Sequence, residues 1–526
     1  MLALRGILPD PPCVSQPRTH PLFRGGAGVE ERNGALTADS ADNADNADNL
    51  GCKRQHFIKY CLLFALATKS AKSAVQMLAR ASTPAVSGHP ENSCQLVFDK
   101  CSVTHNKPSA NMTSYLADLH IHSRFSRATS PDCTLEELHR WAQRKGVTVV
   151  GTGDFTHPAW FQELATKLIP AEPGLLQLRP EIAAAADADV PERCRAPVRF
   201  LLSGEISSIY KRDGRVRKIH SLILAPDLGT VAKINARLGA IGNVRSDGRP
   251  ILGLDPRNLL EILLESDPAC TLIPAHIWTP WFALLGSRSG FDSLEECFGD
   301  LAPQIFAVES GLSSDAPMNG RVRSLDQVAL VSNSDLHSPS KLGRNANLFF
   351  GTPDYFNMLD GLRNKDRAVC GGTIDLFPEE GKYHLDGHRA CSVVFTPEES
   401  QQHNNLCPKC GQPLTLGVLH RVLALADRPE GEKPPNALPY QYIIPLDELL
   451  SELLQIGTGS KKVKLAYDNL LAACGPELGI LRTVPPEQLE THGPPRIGEA
   501  IQRLRDGKVT RRGGYDGEFG VIRVFS

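Results

Sequence analysis

The residues that could do chemistry first appear at positions 118–123, Asp-Leu-His-Ile-His-Ser. The run 115–123 has strand character, and residues two apart on a strand face the same way. His120 and His122 therefore share a face, close enough for both imidazoles to hold one cation. Taken alone, the pair also fits an exposed edge with two solvated histidines. The choice depends on where the other ligand-type residues fall.

Strand-like runs follow at 147–154, 198–205, 218–225, 270–276, 304–309 and 327–335. Their endings carry Asp154 with His157, Glu205, His276, and Asp335 with His337, while His220 sits early in its own strand. In parallel α/β folds the C-terminal strand ends form one rim, where sites are built. Nitrogen and carboxylate ligands converging there are what a multinuclear hydrolytic centre requires. The candidate ligands for Zn, Mg or Mn are therefore His120, His122, Asp154, His157, Glu205, His220, His276, Asp335 and His337. Glu205, His276, Asp335 and His337 are the candidates for the chemical step.

The elements that must position these residues alternate from 115 to about 376. The spacing predicts a helix over 134–146, capped by Thr134 and stopped by Gly146. Further helical stretches lie at 230–242 and 256–266. Alternation on this scale implies α/β architecture with a mainly parallel sheet, open or closed into a barrel. Between two strand-like runs, Lys-Arg-Asp-Gly-Arg-Val-Arg-Lys (211–218) centres on an Asp-Gly pair, which favours a hairpin turn with exposed charges.

The first 111 residues differ from the rest. They hold a short tandem repeat at 39–50 and no sustained periodicity, so they cannot bury enough apolar surface to fold. They read as a disordered or mispredicted extension, with Met112 as the native start; the rival is a small helical element at 57–80. The whole chain has 526 residues, 41% hydrophobic and 22% charged, which suits two or three soluble domains. A net charge of −2 excludes a globally basic nucleic-acid binder but not a local basic groove. The apolar run at 61–67 is far below the roughly 18 residues a membrane span needs, and no secretory signal opens the chain. Fourteen cysteines, mostly scattered, point to thiols in a reducing cytosol.

One tight cysteine pair stands apart. Cys407 and Cys410 with Gly411 form a knuckle-type turn, and His388 and Cys391 supply two more ligands at suitable spacing. This Cys3His set predicts a structural zinc site, with His384 as the alternative fourth ligand. Basic residues next to the rim, Arg288, Lys341 and Arg344, are candidates for phosphate contact, and so are Lys461 and Lys462 at a predicted helix start. For each of these, a solvated loop or a plain helix connection explains the residue equally well. Tyr515 and Phe519, in the basic stretch 508–520, could stack on bases or merely pack.

The order HxH, Asp-x-x-His, Glu, His, His, Asp-x-His resembles the polymerase and histidinol phosphatase (PHP) domain family. That resemblance implies a distorted (β/α)7 barrel with a di- or trinuclear metal site hydrolysing phosphate esters. It carries His120, His122, His157, Glu205, His220, His276, Asp335 and His337 over as ligands. Many relatives have Thr-Asp-His where this chain has Asp154-Phe-Thr-His157, which leaves Asp154 and His157 as alternatives. Many also carry a further histidine where this chain has 126–130, which leaves a third metal open.

With the cysteine module and Gly-Tyr-Asp-Gly-Glu-Phe-Gly (514–520) added, residues 112–526 resemble endonuclease Q. The implied plan is a catalytic domain at 112–380, a zinc module at 381–431 and a mainly helical DNA-binding region at 432–526. The implied activity is incision 5′ of uracil, hypoxanthine, xanthine and abasic sites, leaving 3′-hydroxyl and 5′-phosphate ends. The expected partner is DNA with damaged bases, a sliding clamp being a further candidate, for a cytoplasmic, nucleoid-associated monomer. The competing expectation is a PHP-family phosphatase acting on a small phosphate monoester.

Overall fold

The computed structural model describes residues 113–525; the extension at 1–111, the helical alternative at 57–80 and the start at Met112 lie outside them. Local signals act as the sequence leads one to expect. The helix Leu135–Lys145 is capped by Thr134, whose side chain accepts from Glu137 N, and closed by Gly146 at φ 83. It buries Leu135, Leu138 and Ala142 against the sheet.

In chain order the strands are β1 (Ser114–Asp118), β2 (Val149–Gly151), β3 (Leu168–Pro170), β4 (Leu176–Leu178), β5 (Arg199–Arg212), β6 (Arg215–Ala225), β7 (Ile251–Leu252) and β8 (Thr271–Pro274). There follow β9 (Ala307–Glu309), β10 (Ala329–Val331), β11 (Ala346–Phe350), β12 (Cys370–Leu376), β13 (Asp386–His388), β14 (Val393–Phe395), β15 (Tyr440–Ile443), β16 (Thr510–Arg512) and β17 (Val521–Arg523). Eleven of them form one sheet, ordered β15-β12-β11-β1-β2-β5-β4-β3, with β6 and β7 on β5 and β8 on β6.

The sheet is mixed rather than mainly parallel. β1, β2 and β5 run parallel, but β11 is antiparallel to both β1 and β12, and β6 is antiparallel to β5 and β8. The cause at β5–β6 is local. Asp213 at φ 51 and Gly214 at φ 73 make a tight turn, so eleven consecutive residue pairs zip back along the same strand. The turn is where the Asp-Gly pair predicts it, but the charges are only partly exposed: Lys211 and Arg215 face solvent, while Arg212 and Arg217 are half-buried over Phe291 and Lys218 is half-buried over Phe282.

Beyond β12 the chain is not purely helical. β13 and β14 form a hairpin, β15 returns to the main sheet parallel to β12, and β16 pairs with β17 near the end. Between β15 and β16 lie five helices, Leu446–Leu454, Lys461–Cys474, Glu477–Arg482, Pro486–Glu490 and Ile497–Arg505. The core is continuous from Leu116, Phe155 and Phe200 to Leu449, Leu470 and Ile501. Among the described residues no helix is long and apolar enough to cross a membrane, and nine cysteines are free thiols.

Candidate functional site

His120 and His122 leave β1 fully buried and face the same hollow. Glu205, also buried, reaches it from the middle of β5, and Asp335 from the loop after β10. The four can present ligand atoms within 4.8 Å of one another. His122 Nε2 lies 3.2 Å from Glu205 Oε2 and 3.1 Å from Asp335 Oδ1, and His120 Nε2 lies 3.5 Å from the same Glu205 oxygen. A second group, His220 and His276, collects on the other oxygen of Glu205. Its Oε1 is 2.8 Å from His220 Nδ1 and 3.4 Å from His276 Nε2. Glu205 thus belongs to two clusters, one on each carboxylate oxygen.

The outward nitrogens are held by carboxylates. Glu309, at the end of β9, lies 3.0 and 3.1 Å from His120 Nδ1 and accepts from His276 N and Asn333 Nδ2. Asp154 lies 3.0 Å from His122 Nδ1 and accepts from Ser123 N and Oγ. A carboxylate behind a histidine fixes the ring so that its other nitrogen can serve a metal. Asp154 therefore stands behind His122, on the far side of that ring from the hollow.

The backbone bends at three of these positions. Asp154 (φ 48), His276 (φ 32) and Asp335 (φ 46) all adopt left-handed conformations that non-glycine residues seldom take. Such residues concentrate where function over-determines the chain. Two close approaches admit only glycine: a Cβ on Gly311 would sit 2.5 Å from His276 Cβ, and one on Gly248 would sit 2.4 Å from Asp154 Oδ2. The second brings in Arg249, whose guanidinium lies 3.1 Å from Glu205 Oε2.

The electrostatics are those of a cation site. Burial disfavours charge on His120, yet Glu309 and Glu205 hold its pKa well above the usual imidazole range. Asp154 and Asp335 do the same for His122 against its own burial. Burial would also raise Glu205, but His220, Arg249 and His120 keep it far below the carboxylate range. His220 goes the other way, pushed by burial down to about 4. Three buried carboxylates, Asp154, Glu205 and Glu309, with the half-buried Asp335 create a field that demands positive charge, which protons or metal ions can answer. His120 Nε2 is buried without a hydrogen-bond partner, and Glu205 Oε1, although 2.8 Å from His220 Nδ1, makes no contact of hydrogen-bond geometry; both face the hollow. Orphaned polar atoms of this kind fit a metal.

Two rim candidates stand apart. His157 donates through Nε2 to Arg245 O at 2.9 Å and stacks on Phe125, turned away from the cluster. The short turn after Asp154 sends the side chains of 154 and 157 to different sides. His337 is nearer, its ring 4.7 Å from that of His122, but its Nδ1 is bonded to Asp335 O and it joins neither ligand group.

A third group lies in the β13–β14 hairpin and the turn after residue 406. His388, Cys391, Cys407 and Cys410 offer ligand atoms within 4.8 Å of one another, with Cys410 Sγ 3.5 Å from His388 Nδ1. Burial would raise Cys407, but the amides of Lys409 and Cys410 bring its thiol down to about 6, a thiolate suited to metal. His384, the alternative, is outside this group and packs against the C-terminal hairpin at Gly513.

Of the basic candidates, Arg288 is exposed, and so are Lys461 and Lys462 in the first turn of their helix. Lys341 pairs with Glu448 at 3.1 Å. Arg344 donates to Ser334 O and Asp335 O, bracing the Asp335 loop. Tyr515 is tied into the turn by its backbone bond with Glu518, whereas Phe519 is 73% exposed.

Fold and site together define an α/β protein with a buried histidine–carboxylate centre whose two ligand groups could each hold a metal ion, and a separate cysteine–histidine cluster. The MJ0043 C-terminal domain family matches residues 445–508. The protein YqxK of Bacillus subtilis is 30% identical over 310 residues, 58% of this chain and 74% of that one. The protein MJ0043 of Methanocaldococcus jannaschii is 33% identical over 253 residues, 47% of this chain, which spans only 31% of that protein's length. Two solved structures are 31% identical with TM-scores of 0.67, each covering 78% of this chain: the lesion-specific endonuclease PfuEndoQ from Pyrococcus furiosus, matched over 95% of its length, and endonuclease Q in complex with a 27-mer duplex bearing an abasic lesion at the active site, matched over 96%. The chain belongs to the endonuclease Q family.

Proposed function

We propose that this protein is a metal-dependent DNA repair endonuclease that cuts the phosphodiester backbone on the 5′ side of abasic sites and of uracil, hypoxanthine and xanthine. The observation that carries the reading is Glu205, shared through its two oxygens between the His120–His122–Asp335 and His220–His276 groups. Family membership supports the DNA substrate. We further read the sheet and its helices as a distorted (β/α)7 barrel of the PHP type within 112–380. The zinc module then occupies 381–431 and the DNA-binding region 432–526.

His120, His122, Glu205 and Asp335, and Glu205 with His220 and His276, would hold divalent metal, which when bound would supply a nucleophilic water at neutral pH and charge compensation for the phosphate. The protein's own part is positional. Glu309 and Asp154 lock the His120 and His122 rings. Arg344 braces the loop that delivers Asp335. Arg249, with a quarter of its side chain exposed beside Glu205, faces the space where the phosphate must lie and adds a bidentate donor there. His337, one ring from His122 on the open side, is placed to carry a proton to or from the reacting oxygens. His388, Cys391, Cys407 and Cys410 hold a structural zinc, and Arg288, Lys461 and Lys462 contact phosphates. The protein acts in this reading as a cytoplasmic, nucleoid-associated monomer, with a sliding clamp as the partner to test.

The deciding experiment is incision of end-labelled duplexes carrying one abasic site or one deoxyuridine, with magnesium, manganese or zinc, beside Asp335→Ala. One cut on the 5′ side of the lesion, lost in the variant, is expected. Intact duplexes together with phosphate release from a small monoester would refute the reading in favour of a phosphatase.

A further inference from the structure

Three distant chain segments bring the exposed rings of Trp281 and Phe519, the half-buried ring of Tyr383 and unpaired cations together beside the catalytic hollow. Trp281, five residues after His276, is 40% exposed, while its neighbour Phe282 turns inward with its ring 4.7 Å from His220. Across from Trp281 stands Tyr383, with ring centroids 5.9 Å apart in an edge-to-face contact. Lys382 lies over Tyr383 at 6.0 Å and over Phe519 at 5.6 Å. Phe519 itself is 73% exposed on the turn between β16 and β17.

Cations interleave this strip. Arg288 is fixed to the Trp281 loop by its amide, which donates to Pro280 O at 2.9 Å. Arg389 is anchored through its own amide to Asp516 Oδ2 on the Phe519 turn, and its guanidinium passes Gly517. None of the Arg288, Lys382 or Arg389 side chains has a carboxylate within 4.0 Å among the described residues. A solitary exposed aromatic is ordinary. An aromatic row with Lys382 between two of its rings and two more free cations on the same segments, starting five residues from a metal-type histidine, is not. It matches what binds an unpaired nucleic-acid strand, where rings take bases and cations take phosphates.

We propose that Trp281, Tyr383 and Phe519 form a stacking platform for bases unstacked around the lesion, with Trp281 against the nucleotide next to the scissile phosphate and Lys382, Arg288 and Arg389 on the flanking phosphates. This rests on the endonuclease reading above and assigns to specific residues the compensation for opening the duplex. Extracting a nucleotide costs stacking on both of its neighbours; an indole surface at the mouth of the site returns part of that.

The test uses the full chain with Trp141→Phe, so that Trp281 is the exposed indole beside the buried Trp160 and Trp278. An oligothymidylate strand, and separately an abasic-site duplex, is titrated with chelator present to block cutting. Saturable quenching is expected, and Trp281→Phe added to the same chain abolishes it. Trp281→Ala lowers kcat/KM for lesion incision by about tenfold or more, Trp281→Phe by much less, as one lost stacking contact requires. Binding and incision that proceed without quenching and without loss in Trp281→Ala would overturn the platform and leave the endonuclease reading standing. Failure of the Trp141→Phe chain to bind either DNA, with no incision by the native protein, would overturn both.

Discussion

Replacing Glu477 by glutamine removes one charge from the contact that fastens the C-terminal helices to the α/β body. Glu477 opens the helix Glu477–Arg482 and is 2% exposed. Its partner Lys145, at the end of the helix Leu135–Lys145, is 5% exposed. The carboxylate also accepts from Tyr467 OH at 2.6 Å and Leu446 N at 3.1 Å, so all three partners depend on it. Breaking a buried pair by removing one member strands the other charge and costs about 3–5 kcal/mol. Glutamine keeps an acceptor for Leu446 N, which places Glu477→Gln near about 3 kcal/mol. Alanine also orphans the Tyr467 hydroxyl and the Leu446 amide and moves to the upper end. The double change Lys145→Met with Glu477→Leu leaves no stranded charge, so it should cost less than the two single changes added together by about 2 kcal/mol or more. Urea unfolding at neutral pH reads these differences. Burial opposes ionisation of Glu477, but Lys145 holds its pKa below the usual carboxylate range. The stability it contributes is therefore present above that range and lost as pH falls through the lowered value, and the gap between native protein and Glu477→Gln closes in acid. A Glu477→Gln cost under about 1 kcal/mol, or strict additivity in the double variant, would refute the reasoning.

Glu309→Gln, which loosens His120 without touching the hollow, should weaken metal binding or incision about 10- to 100-fold; competition with a chelating dye measures the first and oligonucleotide cleavage the second. Arg249→Ala should lower kcat more than it raises KM, whereas Arg249→Lys restores part of it, since a point charge lacks the second donor; unchanged kinetics would remove Arg249 from the site. Cys410→Ser should release one equivalent of zinc, counted by mass spectrometry, and lower the melting temperature, while metal in the histidine centre stays put. Asp375, buried under the hydroxyls of Ser332 and Thr373, is pushed by burial up to about 7. The fold favours its protonated form, so its contribution is full below about pH 4 and lost as pH rises through about 7. Asp375→Asn should then gain stability relative to the native protein progressively as pH rises between those values, reaching on the order of 1–3 kcal/mol by pH 8. Parallel melting curves across that range would show the assignment to be wrong.

What could be read in the sequence followed from short-range geometry. His120 and His122 share a side because strand residues alternate, and the 135–145 helix was legible in Thr134 and Gly146. The cysteine cluster was legible because its four residues fall in two tight pairs. The rest depends on long-range placement. Glu309 is one acidic residue at the end of a three-residue strand, and only the fold reveals that it lies behind His120. Arg249 sits in an irregular loop whose approach depends on Gly248. That Asp154 ends behind His122 while His157 turns to Arg245 O follows from the left-handed backbone at Asp154, which no propensity encodes. Strand direction was misjudged because alternation of strands and helices says nothing of which way a strand enters. The Asp213–Gly214 turn was the clue that β5 and β6 must oppose each other.

The parallel pairing of β12 with β15 has a consequence for the chain as a polymer. These strands are neighbours in the sheet, yet residues 377–439 lie between them and include the whole cysteine–histidine cluster. A floppy connection of that length would tax the pairing through loop-closure entropy, which grows with the logarithm of the span. A cation clasping 388, 391, 407 and 410 shortens the loop the sheet must close. If that cluster holds zinc as proposed, the metal's mechanical effect is felt outside the module, as tension taken off the edge strand β15 and the helices that hang from it. Stripping that ion should raise hydrogen exchange at Tyr440–Ile443 before it disturbs β1 or β2.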